Sequence, residues 1–295
     1  MANENRTIQI DATKFEQMKE FYKDFQVESK NPTVIALFKN ENCSITIFRT
    51  LKAFFQGENA LYEASIWQSE EDEDNWVYTK THAGSDEVGT GDFFGPITVV
   101  ATLIKDTDLE FIDSLGIKDS KKMSDEQIVK VVPHLLKRIK YSLLTLDNEL
   151  YNKLIRRGFN MNKIKAFLHN KALLNLEAKV NERIPLFVVD QFTPEKNYYE
   201  YLKEEIKVIK RIEFVTKGES ASPAVAVSSV LARYAFLRRM NQLRAETGYN
   251  LPLGAGSKVD EVAKQILEEK GLDYLKSITK GNFKNFEKIT KEQLL

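Results

Sequence analysis

Two neighbouring carboxylates and a group of glycines stand together in Gly84-Ser85-Asp86-Glu87-Val88-Gly89-Thr90-Gly91-Asp92-Phe93-Phe94-Gly95-Pro96, which leads into the apolar run Ile97-Thr98-Val99-Val100-Ala101. Carboxylates are the ligands that hard cations such as Mg²⁺ prefer. Glycine has no Cβ, so a ligand can press close to the main chain beside these carboxylates. The segment therefore predicts a strand that ends in a site for phosphodiester chemistry.

Strands and helices alternate on the C-terminal side of this segment. The strand candidates are the segment ending at Asp86 and the stretches 98–104, 141–146, 186–189 and 211–215. The helix candidates are the stretches 125–140, 162–180, 195–206, 224–244 and 258–270. The capping box Ser124-Asp125-Glu126-Gln127 opens the first of these helices. The alternation predicts an α/β fold, in which helices flank a sheet.

Three acidic residues share one local context, because Asp86, Asp190 and Glu219 each follow a stretch that is predicted to be a strand. Open α/β sheets bind their ligands at the carboxyl ends of the strands, so we expect these acids at one edge. Glu87 is a fourth acid, although successive residues of a regular strand point to opposite faces. It can join the site only if the strand ends there or if its backbone carbonyl takes part.

Four carboxylates at one edge repel one another unless cations lie between them. Two Mg²⁺ or Mn²⁺ ions about 4 Å apart remove that repulsion and support an in-line phosphodiester displacement by water. Oxygen ligands without a Cys/His cluster suit these ions and argue against zinc. Each acid alone also fits a surface charge, a turn or a helix cap. As a set, the predicted catalytic and metal-binding residues are Asp86, Glu87, Asp190 and Glu219.

Four segments, in order along the chain, resemble the motifs of the type 2 ribonucleases H. They are 84–96, Phe187-Val188-Val189-Asp190, Thr216-Lys217-Gly218-Glu219-Ser220 and the stretch from Ala224 to Tyr234. The tripeptide at 89–91 and the Glu at position 219 are similar to the ribonuclease HIII branch of that family. The resemblance implies a ribonuclease H-like domain with a mixed sheet. It also implies cleavage of the RNA strand of RNA–DNA hybrids, which leaves 5′-phosphate and 3′-hydroxyl ends.

The same resemblance implies contacts with nucleic acid. The predicted substrate-binding residues are Gly89, Thr90, Gly91, Ser120, Lys121, Asn160, His169 and Ser229. The glycine tripeptide is implied to detect the 2′-hydroxyl, the group that separates RNA from DNA. A tight turn explains the same glycines, and a solvated loop explains Ser120 and Lys121, so both alternatives stay open.

An acidic run, Glu70-Glu71-Asp72-Glu73-Asp74, separates two parts of the chain. Like charges repel and the run has no apolar residue to bury, so we predict a linker at 69–78. Residues 1–68 are predicted to form a small α+β domain, and residues 79–295 a catalytic domain with C-terminal helices. In ribonuclease HIII a domain similar to half of TATA-binding protein holds the first position, which implies a substrate-binding role here.

The charge of the chain is balanced overall but unevenly distributed. There are 43 Lys and Arg and 43 Asp and Glu, yet residues 1–80 have a balance of −5 and the remainder a balance of +5. The basic excess favours a polyanionic partner for the second part, whereas the acidic first part argues against a simple electrostatic grip.

Apolar runs are short, and none approaches the roughly 18 residues that a membrane helix needs. The N-terminus has no apolar stretch of a signal peptide. The single cysteine, Cys43, cannot form an internal disulfide, which fits a reducing compartment. We therefore expect a cytoplasmic protein, a monomer without a membrane partner.

Three alternatives to a hybrid-cutting enzyme stay open at this point. The chain could be a ribonuclease HII-like enzyme that cuts at single ribonucleotides in DNA, a non-catalytic protein that binds RNA–DNA hybrids, or a different two-metal nuclease acting on DNA. Glu219 and the N-terminal domain favour the ribonuclease HIII branch, and the intact acids favour an enzyme.

Overall fold

A computed structural model describes residues 5–40, 42–67, 76–117 and 123–292 of this chain. The chain divides into two compact units, Met1–Asn75 and Trp76–Leu295. Each unit has its own buried apolar core and is described separately below.

The described part of the N-terminal unit combines one antiparallel sheet with two helices. Its four strands lie in the order β1-β4-β3-β2. The elements are β1 (Arg6–Gln9), α1 (Ala12–Phe21), β2 (Val34–Lys39), β3 (Ser44–Phe48), β4 (Lys52–Gln56) and α2 (Ala60–Trp67). Alternate strand residues, such as Ile45, Ile47 and Phe55, join Met18 of α1 in the core. The small α+β architecture predicted from the sequence is confirmed.

The described part of the C-terminal unit is built on a five-stranded sheet in the order β7-β6-β5-β8-β9. The strands are β5 (His82–Val88), β6 (Ile97–Ile104), β7 (Lys140–Leu146), β8 (Phe187–Asp190) and β9 (Ile212–Val215). Strands β5, β6 and β7 pair antiparallel, whereas β5, β8 and β9 pair parallel. The sheet is therefore mixed, and the predicted α/β class with flanking helices is confirmed.

Helices surround this sheet. They are α3 (Leu109–Ser114), α4 (Asp125–Arg138), α5 (Asn148–Arg156), α6 (Met161–Val180), α7 (Glu195–Tyr201), α8 (Gly218–Ala221), α9 (Pro223–Thr247), α10 (Ser257–Lys270), α11 (Leu272–Ile278) and α12 (Lys284–Glu292). Ala83 of β5 packs in a core with α6, whereas Val100 of β6 packs in a second core with α9. Helices α6 and α9 thus cover opposite faces of the sheet.

Helix α9 approaches the central strand unusually closely at Gly84. A Cβ added to Gly84 would lie 2.7 Å from the backbone nitrogen of Val225 and 2.9 Å from the carbonyl carbon of Ala224. The Ser228 hydroxyl donates to the Gly84 carbonyl at 3.0 Å. The absence of a side chain at position 84 therefore lets α9 sit directly against the strand that carries Asp86.

Helix ends follow local sequence signals in one case and depart from them in another. The predicted capping box forms, because Ser124 Oγ accepts from the Gln127 N–H and Gln127 Oε1 accepts from the Ser124 N–H. The helix predicted over 195–206 is too long, because α7 ends at Tyr201. The Leu202 N–H bonds to Tyr199 and Glu200, so the chain tightens into turns there.

The predicted linker at 69–78 falls mostly outside the described residues. Its last three residues pack onto the C-terminal unit. Trp76 is 7% exposed, and its indole N–H donates to Asp113 at 2.8 Å. The Val77 N–H donates to the Ala221 carbonyl at 2.9 Å. The C-terminal unit therefore begins at Trp76, three residues before the predicted boundary, because a large apolar ring stabilises the chain there by burial.

Candidate metal and nucleic-acid site

Asp86 and Asp190 are brought together by strand register. Ser85 of β5 pairs with Val189 of β8 in the parallel ladder, so the next residues along, Asp86 and Asp190, also stand side by side. In-register residues of neighbouring strands project from the same face of a sheet. Two carboxylates from distant parts of the sequence therefore meet at the carboxyl ends of adjacent strands.

The environment of Asp86 disfavours its charged form. Burial raises the pKa of Asp86 to about 7, and the negative charges of Glu87 and Asp190 act in the same direction. Hydrogen bonds from the Ser229 hydroxyl and from the Glu87 N–H, the latter 2.8 Å long, oppose the rise. A buried carboxylate in this position is stabilised in its ionised form by a cation.

Glu219 follows the third strand of the parallel ladder, β9, in the sequence. Asp190 pairs with Val215 at the end of β9, and the chain then turns through Lys217 into the short helix α8. The Gly218 N–H donates to Asp190 Oδ1 at 2.7 Å. Glu219 directly follows and is buried, with 8% exposure. The residue that precedes Glu219 therefore contacts the carboxylate of Asp190.

Glu87 faces the opposite side of the sheet, toward α6. His169 Nε2 lies 2.8 Å from Glu87 Oε2, and Lys165 Nζ is in close contact with Glu87 Oε1. A carboxylate can only accept, so His169 donates from Nε2, and its Nδ1 is hydrogen-bonded to the Ser85 hydroxyl, 2.8 Å away. Burial opposes ionisation of Glu87, but His169 and Lys165 outweigh burial and lower its pKa.

The structure places His169 in the core, and a substrate contact by this residue stays a prediction. Its side chain is fully buried, and its two ring nitrogens bond to Ser85 and Glu87. The contacts of Lys165 with Glu87 and of Ser85 with His169 were not predicted from the sequence. One signal was available, because Lys165 and His169 are four residues apart on a predicted helix and so share a face. Ser85 and Glu87, two apart on a strand, share the face that meets them.

The glycine tripeptide forms the loop that leaves β5. Gly89 has a φ of +98°, and a Cβ there would lie 2.2 Å from the Pro96 carbonyl oxygen, so only glycine fits. Gly91 is exposed, and a Cβ there would meet nothing within 4 Å. The main chain at 89–91 therefore turns tightly and borders open space, as both of the sequence-based alternatives require.

A buried lysine ties this loop to the C-terminal segment. Lys280 is fully buried, and its ammonium donates to the carbonyls of Asp92 at 2.7 Å and Gly95 at 2.6 Å. The Asp92 carboxylate accepts from the Gly254 N–H at 2.6 Å. Burial lowers the pKa of Lys280 to about 7. The loop is therefore fixed at its base while 90–91 stay accessible.

The remaining predicted substrate residues have different surroundings. Ser229 bonds to Asp86, so it lies in the site itself. Asn160 caps α6, because its Oδ1 accepts from the Lys163 N–H at 2.8 Å, and its side chain is exposed. Ser120 and Lys121 lie outside the described residues. A substrate contact by Asn160 stays a prediction.

The donor set fits divalent metal ions, although the ligands are not gathered in this structure. Within the described ranges, no three His, Cys, Asp or Glu side chains form a group that could hold a metal ion. The Lys165 ammonium forms an ion pair with Glu87, so one of the predicted metal ligands has a cation beside it. Buried and half-buried carboxylate oxygens, with a positive group at one of them, match the chemistry of a hard-cation site.

Comparisons with known proteins agree with this geometry. A family model described as Ribonuclease HII matches residues 83–286, and a second, described as a domain of unknown function (DUF3378), matches residues 5–77. Ribonuclease HIII of Bacillus anthracis (strain CDC 684 / NRRL 3495) is 41% identical over 300 residues, 95% of this chain and 96% of that protein. Ribonuclease HIII of Phytoplasma mali (strain AT) is 38% identical over 286 residues, covering 96% and 98%.

A solved structure extends the likeness to three dimensions. The crystal structure of Bst-RNase HIII in complex with Mn²⁺ matches with a TM-score of 0.71 and 33% sequence identity. The match covers 98% of this chain and 99% of that chain. Both units of the chain are therefore represented in the similar proteins.

Proposed function

This chain belongs to the ribonuclease HIII branch of the type 2 ribonuclease H family, and we propose that it hydrolyses the RNA strand of RNA–DNA hybrids with two divalent metal ions. The observation that carries the proposal is the register of β5 against β8, which sets Asp86 beside Asp190. Buried Glu219 follows the glycine that bonds to Asp190. A separate binding module has no need of buried carboxylates at such a cost in free energy.

Asp86, Glu87, Asp190 and Glu219 are the residues that would hold the metal ions, and Glu87 joins the others only when its carboxylate turns away from α6. When bound, Mg²⁺ or Mn²⁺ supplies an activated water and stabilises the leaving oxygen. The carboxylates position the ions, and the Ser229 hydroxyl orients Asp86. His169 orients Glu87 through Nε2, while Ser85 fixes the imidazole ring. Hydrolysis at the phosphorus with loss of the 3′ oxygen leaves 5′-phosphate and 3′-hydroxyl ends.

Selection of RNA is proposed to reside in the loop at 89–91. The open space beside Gly91 leaves room for a sugar edge to contact the main chain. A 2′-hydroxyl can both donate to a carbonyl and accept from an amide N–H, so backbone groups can distinguish ribose from deoxyribose. Because Lys280 and Gly254 fix the base of the loop at Asp92, these groups are pre-organised.

The uncovered sheet face of the N-terminal unit is proposed as a second contact surface for the hybrid. The ladder aligns one residue from each strand across that face: Thr7, Phe54, Thr46 and Leu37. Apolar and hydroxyl side chains can contact sugars without a net positive charge. The acidic balance of residues 1–80 is compatible with this role, since five of the acids belong to the run 70–74, which follows the last strand of the sheet, β4, in the sequence.

Location and assembly belong to the same proposal. No helix among the described residues is long and apolar enough to cross a membrane. We propose that the protein acts in the cytoplasm as a monomer. Its single cysteine, Cys43, is buried and needs no oxidising compartment.

The experiment compares substrates and two Asp variants. The wild-type protein in Mg²⁺ or Mn²⁺ is expected to cut the RNA strand of a continuous hybrid and to leave an all-DNA duplex intact. A duplex with one embedded ribonucleotide tests the ribonuclease HII-like alternative. Asp86→Asn is expected to lower cleavage at least about 100-fold, whereas Asp106→Asn, at an exposed position, keeps it. Unchanged cleavage by Asp86→Asn, or preference for the all-DNA duplex, contradicts the proposal.

A further inference from the structure

Glu87 already has a cation in this structure. The Lys165 ammonium contacts Oε1, and His169 donates to Oε2. The side chains of Lys165 and Glu87 are 13% and 10% exposed, so water screens the pair only weakly. Asp86 and Asp190, by contrast, lie beside each other on the opposite face of the sheet. The site therefore contains one carboxylate that is neutralised from within the protein.

The two groups that hold Glu87 differ in mobility. His169 is fully buried, and its ring is fixed by Ser85 on one side and by the stacked ring of Phe192, 5.3 Å away, on another. Lys165 has a flexible stem that ends in a point charge. Of the two partners, Lys165 is the one that can leave without a rearrangement of the core.

The Lys165 ammonium already contacts a second partner beside Glu87. Lys165 Nζ is 4.2 Å from the centroid of the Phe192 ring. The face of an aromatic ring attracts a cation, so the ammonium can move off Glu87 and remain stabilised. Phe192 stands two residues after Asp190, so the ring that contacts the ammonium is close in sequence to the proposed metal site.

We propose that Lys165 is a built-in counter-ion for Glu87, which a divalent cation must displace in order to bind. Lys165 is thus a positioning residue that sets the metal affinity of the site. In the metal-free protein it prevents repulsion between Glu87 and the neighbouring acids, and in exchange it competes with the metal. The inference rests on the proposed function, because it takes Glu87 as a metal ligand.

The test measures Mn²⁺ affinity without turnover. The wild-type protein, Lys165→Met and Lys163→Met are titrated with Mn²⁺ at one pH and ionic strength, and free Mn²⁺ is followed by its electron paramagnetic resonance signal. Lys163 is the matched control, because it lies on the same helix and its ammonium sits over Phe159, 4.3 Å from the ring centroid. Both variants lose one positive charge from α6.

We expect Lys165→Met to bind Mn²⁺ about fivefold more tightly or better, since removal of one charge in contact is worth about that much even in a medium like water. Lys163→Met is expected to stay within about twofold of the wild type, since its charge is more distant and screened. An unchanged or weaker affinity of Lys165→Met overturns the proposal. An equal gain in both variants also overturns it, because the effect is then one of overall charge.

A second pair of variants tests the role of the ring. Phe192→Leu is expected to weaken Mn²⁺ binding in the wild-type background, because the ammonium that has left Glu87 then lacks the ring, and to leave binding unchanged in Lys165→Met, which has no ammonium there. Equal effects in both backgrounds contradict that role. Lys165→Gln repeats the comparison with a polar side chain, and melting curves in EDTA confirm folding. If the wild type binds no Mn²⁺, or if Asp86→Asn binds it equally well, the proposed function itself fails.

Discussion

Asp86 and Glu87 are neighbours in sequence with opposite surroundings. Asp86 faces α9, where burial raises its pKa to about 7, whereas Glu87 faces α6, where His169 and Lys165 lower its pKa. The difference follows from strand geometry, because consecutive side chains point to opposite faces. One short motif can therefore supply one carboxylate with no cationic partner among the described residues and one that has such a partner.

The position of the acids relative to the strands could be predicted from the sequence, but their environment could not. Asp190 ends β8 and Glu219 follows β9, as the strand-like stretches before them indicate, and the carboxyl ends of strands gather at one edge. The contacts of Glu87 with His169 and Lys165 depend on the rotation of α6 about its axis, which places His169 inward. That rotation is set by packing of the whole helix, which no local pattern of residues fixes.

The burial of Lys280 predicts that the free energy of unfolding depends on pH. Its pKa is 10.5 ordinarily and about 7 in the folded protein. Between these values the unfolded chain binds a proton that the folded chain does not, so the free energy of unfolding rises with pH. Relative to Lys280→Met, the wild type is expected to gain up to about 1.4 kcal/mol per pH unit above pH 7.

Urea unfolding of both proteins at pH 7.5 and 9.5 checks this prediction, since other titrating groups cancel in the difference. The charge of Asp92 acts on Lys280 and favours its charged form. Parallel pH profiles for the two proteins would show that the lysine is not buried as described.

Helix α9 can pack directly against β5 because position 84 has no side chain. Gly84→Ala is expected to destabilise the protein by about 1–3 kcal/mol, as overpacking does. The new methyl group would stand 2.7 Å from the Val225 backbone nitrogen, and backbone cannot move aside as a side chain can. The shift of α9 also moves Ser229 away from Asp86, so cleavage of the hybrid is expected to fall.

Thermal unfolding measures the first effect and single-turnover cleavage the second. Gly256→Ala is the control, because a Cβ there meets nothing within 4 Å, and its cost is confined to the N-terminus of α10. A Gly84→Ala protein as stable as Gly256→Ala would contradict the close packing of α9 on β5.

Most elements were predictable from periodicity, and the exceptions have local causes. The strand 98–104 and the helix 162–180 agree with β6 and α6 within one residue, because β6 is a continuous apolar run and no Gly or Pro interrupts α6. Helix α7 was predicted to reach Ile206, yet Ile206 is 99% exposed and beyond the helix. An apolar residue at a helical spacing does not by itself show that a surface exists to cover it.

We propose that both units of the chain bind the same hybrid substrate. Phe54→Ala on the uncovered face of the N-terminal sheet is expected to raise KM for the hybrid about tenfold while kcat is kept, because a contact remote from the reacting bond stabilises ground state and transition state equally. Tyr62→Ala, at a position that is 68% exposed on α2, is the control. A lower kcat with unchanged KM would contradict a binding role.

The division into two units was visible in the sequence, because the acidic run interrupts every apolar pattern. Its C-terminal limit was not, since Trp76 belongs to the C-terminal core. A single aromatic residue beside a charged run gives no indication of which surface receives it. The partner surface, around Asp113, lies 37 residues further along the chain.

The most direct measurement is anomalous diffraction from crystals of the active protein soaked in Mn²⁺. We predict density for Mn²⁺ within ligand distance of Asp86, Asp190 and Glu219, with the Glu87 carboxylate turned from Lys165 toward the metal. Crystals of protein that cuts hybrids, yet shows no Mn²⁺ density next to Asp86, would contradict the account.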